Sequence, residues 1–206
     1  NPLGAIQLYS GLLRQECRTQ RLEPALQLLD KIEAGIQAIE AVVQDTLALA
    51  PRQGRLTVCP VQEVLARAAE AAQGAFAARG VTLELDAVDV QVCVPADPRG
   101  LQRVFINLLV NAAEASQPGT AVQVRVDTGN ASDVVLRVLD DGCGLPEATQ
   151  HRIFEPFFTT KSNGTGLGLT IAHRLVEAYG GRLHATNRPA GGAEFVVIDF
   201  AASLVG

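Results

Sequence analysis

The chain has 206 residues, 48% of them hydrophobic, and a formal net charge of −5 with no long basic run. That length suits one medium domain with an appendage, or two small domains. The acidic balance argues against a general nucleic-acid binder, which needs Lys and Arg to neutralise phosphates.

No apolar run approaches the roughly 20 residues that cross a bilayer, and no signal peptide is recognisable, so no membrane contact is expected of this stretch. The chain contains no Met and opens at Asn1-Pro2, which gives the expectation of a piece cut from a longer protein. Cys17, Cys59, Cys93 and Cys143 are far apart and lack metal-ligand spacing. They read as reduced thiols of a cytosolic protein.

Residues 3–50 read as helix with one break. Leu22, Ala25, Leu29, Ile32, Ile36, Ile39, Val43, Thr46 and Ala50 follow spacings of three and four, which places them on one stripe. An earlier helix carries Ile6, Tyr9 and Leu13 beside Ala5, Leu8 and Leu12. Residues 17–24 form the turn between them, with Pro24 suited to a first helical turn. Stripes this wide need a partner: a second copy, giving a four-helix bundle, or the rest of the same chain. Pro51-Arg52-Gln53-Gly54 is a breaker cluster and a linker.

The pattern then changes. Residues 55–59 predict a strand and 60–79 an alanine-rich helix, and 81–87 and 90–94 alternate like strands. Residues 97–116 predict a helix capped by Asp97 with Pro98 at its first position. Strands follow at 121–128 and 133–139, then a glycine-punctuated stretch to Gly168, a helix to Tyr179, and strands at 182–187 and 194–200. The expected class is α+β: a helical hairpin (1–50), a linker (51–54), and an α/β sandwich with a mixed sheet (55–206).

Three stretches carry chemistry. Asn107 and Asn111 share one helical face beside Leu108, Leu109 and Val110. Amides on a partly buried face must find partners; they are either surface amides or ligands, since a carboxamide oxygen suits a hard cation such as Mg²⁺. Asp140-Asp141-Gly142-Cys143-Gly144 follows an apolar strand. It is either an ordinary turn or a place where a carboxylate accepts an adenine amine and glycines admit a ring. Gly164-Thr165-Gly166-Leu167-Gly168 opens a helix. It is a flexible turn or an anion site built from backbone N–H groups. Before it, Phe154, Phe157 and Phe158, three of the chain's seven Phe, anchor a polar segment. That suggests a lid, with Lys161 able to reach a terminal phosphate.

In order, N-x-x-x-N, D-x-G-x-G, F-x-P-F-F-T-T-K and G-T-G-L-G-L resemble the sensor histidine kinases. These sit within the wider ATPase superfamily of gyrase, mismatch-repair ATPases and heat-shock chaperones. The resemblance implies that Asn111 holds Mg²⁺, that Asp140 with Gly142 and Gly144 receives adenine, and that Gly164, Thr165, Gly166, Leu167 and Gly168 hold the phosphates of ATP. Asn107 and Lys161 join the catalytic set. Where gyrase-like relatives place a water-activating Glu, this chain has Asn107, and an amide cannot act as that base. Transfer of phosphate to protein fits better than hydrolysis.

The hairpin resembles the family's dimerisation and phosphotransfer domain, with Asn1-Pro2-Leu3 matching the end of its histidine box. By that match the phosphoacceptor histidine lies four positions ahead of Asn1, and Asn1 helps position water for dephosphorylation of a receiver. His151, His173 and His184 all fall in the ATP-binding part. The implied partners are a second copy through the hairpin and a response regulator receiver domain, and the implied location is cytoplasmic.

Overall fold

The structure is a computed structural model that describes residues 8–10, 12–13, 29, 32, 56–86, 92–128, 133–161, 164–201 and 203–204. The chain divides into two compact units, Asn1–Pro51 and Arg52–Gly206. In the first, Leu8, Tyr9, Ser10, Leu12, Leu13, Leu29 and Ile32 are helical. The expected turn at 17–24, Asn1, the linker 51–54 and the other positions of the apolar stripe lie outside the described residues. Among the described residues, no helix is long and apolar enough to cross a membrane.

The second unit begins with strand β1 (Thr57–Pro60) and helix α1 (Val61–Arg79). Val61, Val64, Leu65, Ala68, Ala72 and Phe76 are buried along one stripe of α1, the pattern that faces a core. Glu63 lies in its first turn and Arg79 in its last, each favourable to the helix dipole. Gly80 ends the helix in the left-handed conformation, at φ 64°, a cap that glycine takes without a Cβ penalty. Strands β2 (Thr82–Leu85) and β3 (Val92–Ala96) follow.

Helix α2 (Pro98–Ala115) starts as the sequence indicates. Asp97 Oδ2 accepts a 2.8 Å bond from the Gly100 N–H, and Pro98 occupies the first turn. Leu101, Val104, Phe105, Leu108, Leu109, Ala112 and Ala113 are buried. The neighbouring stripe, half-buried, carries Asn107, Asn111 and Glu114. Strands β4 (Ala121–Thr128) and β5 (Asp133–Leu139), helix α3 (Gly168–Ala178), and strands β6 (Arg182–Asn187), β7 (Ala193–Ala201) and β8 (Ser203–Leu204) complete the unit.

The expected mixed sheet is present, and a second, smaller sheet forms as well. The larger has the order β2-β4-β5-β7-β6. Its β2–β4 pair is parallel and the other pairs are antiparallel. The smaller, β1-β3-β8, is antiparallel. Val92, Cys93, Val94 and Ala96 of β3 are all buried, so this strand is covered on both faces. A run buried on both sides carries no alternation from which its partner could be inferred.

In the large sheet, Val122, Val124, Val134, Leu136 and Val138 point into the core. The other face is polar: Gln123 bonds Glu84, and Arg137 pairs with Asp127 and Glu194. One solvated face is usual for an antiparallel sheet. Helix α2 packs against both α1 and α3, which brings its amide stripe to the start of α3.

Candidate functional site

Asp140 sits at the end of β5 and is 1% exposed. Its Oδ1 accepts from the Gly142 N–H at 2.9 Å and from the Ala193 N–H at 3.1 Å. Burial pushes its pKa up, and those two hydrogen bonds and Arg188 pull it back. Arg188 Nη1 donates to the Asp140 carbonyl at 2.7 Å and pairs with the Asp141 carboxylate. The strand-end turn is therefore clamped from β7 and from the loop before it.

The glycine at 142 is required by the chain's own packing. A Cβ there would lie 2.5 Å from the Ala115 carbonyl oxygen, so only glycine lets the turn press against the end of α2. Leu145, which follows Gly144, is held by Asn187, whose amide accepts from the Leu145 N–H at 2.6 Å and donates to the Leu145 carbonyl at 2.8 Å. Cys143 is exposed, while Cys59 and Cys93 are buried; none of the three is in a disulfide. Burial pushes the Cys59 thiol pKa up.

At the start of α3, Asn107 Nδ2 donates to the Gly168 carbonyl at 3.0 Å. Leu167 is fully buried and anchors the loop. Thr165 Oγ1 accepts from the Leu167 N–H at 3.3 Å. Gly166 takes a φ of 68°, and a Cβ on it would lie 2.4 Å from the Phe157 carbonyl carbon. The Phe157 N–H bonds the Gly166 carbonyl at 3.0 Å. The phenylalanine segment and the glycine loop thus touch through their backbones.

Within that segment the three rings behave differently. Phe154 stacks on His173 at 4.7 Å, and Phe158 lies under Arg152 at 4.6 Å. Phe157 is 71% exposed. Lys161 reaches across to α2, where its Nζ donates to Asn111 Oδ1 at 2.8 Å and to the Glu114 carboxylate. The Asn111 oxygen therefore already holds a cationic group, which is the chemistry a hard cation asks of it.

The structure brings Asn107, Asn111, Lys161 and the 164–168 loop together around the α2–α3 contact. Gly142 meets the far end of α2, and Asp140, whose carboxylate it bonds, and Gly144 lie on either side of it. Asn1 lies outside the described residues. An open hollow between α1 and β2, lined by Ala69, Gln73, Phe76, Val81 and Leu83, contains none of these residues.

This arrangement has a known counterpart. Residues 96–202 match the model of the histidine kinase-, DNA gyrase B-, and HSP90-like ATPases. The chain belongs to that family. It is 31% identical to the signal transduction histidine-protein kinase AtoS of Escherichia coli (strain K12), over 96% of this chain and 32% of AtoS. Among solved structures it resembles the mycobacterial sensor histidine kinase MprB, with a TM-score of 0.66 at 28% identity over 73% of this chain and 99% of that one. It also resembles full-length ShkA in complex with AMPPNP, with a TM-score of 0.73 at 25% identity over 90% of this chain and 40% of that one. The chain spans about a third of the length of AtoS and sporulation kinase A.

In this ATPase domain of histidine kinase type, five residues near the site escape reading from sequence: Glu114, Asn187, Arg188, Gly192 and Ala193. Gly192 has a φ of 80°, and a Cβ on it would lie 2.0 Å from the Asp140 carbonyl oxygen. The cluster Pro189-Ala190-Gly191-Gly192 marks a turn, but which strand end that turn braces is set by the pairing of β5 with β7. Among the described histidines, His151 and His184 are exposed and His173 lies on α3, 3.4 Å from Glu177.

Proposed function

We propose that the chain is the ATP-binding catalytic region of a two-component sensor histidine kinase. Its substrate is ATP with Mg²⁺, and the phosphoryl group that ATP supplies passes to a histidine and then to an Asp of a response regulator. The observation that carries the reading is the meeting of the Asn107–Asn111 stripe of α2 with the glycine loop that opens α3. An amide pair and a helix N-terminus suit a metal and polyphosphate.

Each residue has a role in this reading. Asp140 accepts the adenine amine at the end of β5. The turn holding Gly142 and Gly144 shapes the pocket beside it. The backbone N–H groups of Gly164, Thr165, Gly166, Leu167 and Gly168 receive phosphate oxygens. Asn111 Oδ1 is the metal ligand, a reading supported by that oxygen's acceptance of the Lys161 ammonium. Asn107 braces the loop through Gly168 and, being an amide, cannot itself serve as a base for water. Lys161 neutralises the terminal phosphate. Residues 1–50 form a dimerising hairpin, 51–54 a linker and 55–206 the catalytic domain, in a protein that works on the cytoplasmic side as a homodimer.

Calorimetry with a non-hydrolysable ATP analogue tests the reading, with saturable binding expected in Mg²⁺. Labelling with radioactive ATP tests the chemistry. His151, His173 and His184 should stay unlabelled. A chain extended ahead of Asn1 so that a histidine stands four positions before it should acquire acid-labile phosphate there. Phosphate mapped to one of the three histidines of the ATPase domain would overturn the assignment.

A further inference from the structure

Lys161 makes two contacts with α2, and the second one has no place in nucleotide binding as described above. Its ammonium touches Asn111 Oδ1 at 2.8 Å and Glu114 Oε2 in the same reach. The Lys161 and Glu114 side chains are each 37% exposed. Asn107, Asn111 and Glu114 succeed one another along one face of α2 at spacings of four and three, so the carboxylate stands one turn beyond the amide.

We propose that Glu114 is a positioning residue. By pairing with Lys161 it parks the ammonium on Asn111 Oδ1, so the metal–nucleotide complex gains that oxygen only by releasing the lysine. This rests on the reading of the site as one for Mg²⁺ and ATP. Mg²⁺ demands its oxygens at roughly 2.0–2.1 Å in near-octahedral geometry. A second cation held at hydrogen-bond distance from the same oxygen repels it strongly in a half-buried site. Metal and ammonium therefore exclude one another at Asn111, and Glu114 sets how firmly the ammonium stays.

The release is also tied to the phosphate loop. The Gly164 N–H donates to the Lys161 carbonyl at 3.3 Å, and Phe157 bonds Gly166 from the other side. A shift of Lys161 off Asn111 pulls on the backbone that receives the phosphates. Glu114 thus couples arrival of the metal to the setting of the glycine loop.

The test compares the full chain with Glu114→Gln, Lys161→Gln and the double variant, titrated calorimetrically with an ATP analogue in Mg²⁺ and in chelator. Glu114→Gln should raise affinity in Mg²⁺ by about two- to fivefold, the size of a half-exposed ion pair, and raise it less in chelator, where the freed ammonium helps but the vacated Asn111 oxygen does not. In the Lys161→Gln background it should add nothing, because coupling through one shared partner is non-additive. A separate readout needs no nucleotide: trypsin should cleave after Lys161 faster in Glu114→Gln than in the parent chain.

An equal gain with and without Mg²⁺, or a gain that persists without Lys161, would mean simple removal of negative charge and would overturn the proposal. A loss of affinity confined to Mg²⁺ would make Glu114 a metal ligand and would overturn it too. An unaltered parent chain that binds no nucleotide would defeat the ATP-binding reading instead. Unchanged trypsin cleavage in Glu114→Gln would then still dispose of the tether.

Discussion

Among the described residues, Asp140 is the only carboxylate in the buried set. Burial raises its pKa above the ordinary 3.8 despite two backbone donors. A carboxyl whose folded pKa is raised stabilises the fold fully below its unfolded pKa, and that contribution is lost as pH rises through the folded one. At neutral pH the ionised group works against folding. Asn at this position keeps the acceptor for Gly142 and Ala193 but presents an N–H₂ donor where an adenine amine needs an acceptor. Asp140→Asn should therefore melt at the same temperature as the parent chain or higher at pH 7. That advantage should shrink as the pH falls from the raised folded value towards the ordinary 3.8, and be gone below it. Affinity for an ATP analogue should fall by about tenfold or more, since a hydrogen bond to a charged group is lost. Thermal scans at two pH values and calorimetry check both halves, and a variant that binds as tightly as the parent would remove Asp140 from the site.

Helix α2 joins the fold's stability to its chemistry, because one face is core and the next is the amide stripe. Its first turn is a tight place. A Cβ on Gly100 would lie 1.8 Å from the Tyr179 hydroxyl oxygen. Burial beside Asp97 pushes the Tyr179 pKa up to about 12. The neutral phenol is thus favoured in the fold, and its contribution is lost as pH rises from the ordinary 10.0 through about 12. Gly100→Ala should destabilise by about 1–3 kcal/mol through overpacking, outweighing the gain in helix propensity. Adding Tyr179→Phe should restore part of the loss. Urea midpoints of the two variants measure this, and a Gly100→Ala chain as stable as the parent would contradict it.

This helix also shows what sequence could and could not supply. Asp97, Pro98 and the apolar spacing from Leu101 to Ala113 announce its start and its buried face, because caps and periodicity are local. Strands β4, β5 and β6 were legible for the same reason. The separate β1-β3-β8 sheet was not, since β3 is apolar throughout and pairing is decided by distant chain. The roles of Glu114, Arg188 and Ala193 were equally invisible. Each acts on a residue 47–53 positions away, and nothing in its own neighbourhood signals it.

At the scale of the whole molecule, the segment between Gly144 and Gly164 is lightly held. Among its described residues Ile153 is the buried one, Phe154 and Phe158 are half-buried, and Phe157 is exposed. Segments with few buried apolar groups open first. Limited proteolysis of the chain without nucleotide should cut between residues 145 and 161, and an ATP analogue with Mg²⁺ should protect it. Equal cleavage in both conditions would count against a lid. The clamp on Asp140 carries a consequence for synthesis. Ala193, which donates to the Asp140 carboxylate, is made 53 residues after it, and β7 fills the position between β5 and β6. On the ribosome, the nascent domain holds an open sheet and an unbraced strand end until that stretch has left the exit tunnel. On the proposed reading, nucleotide recognition therefore cannot arise before β7 is made, and any chaperone that shields the half-built sheet must act before an adenine pocket can form.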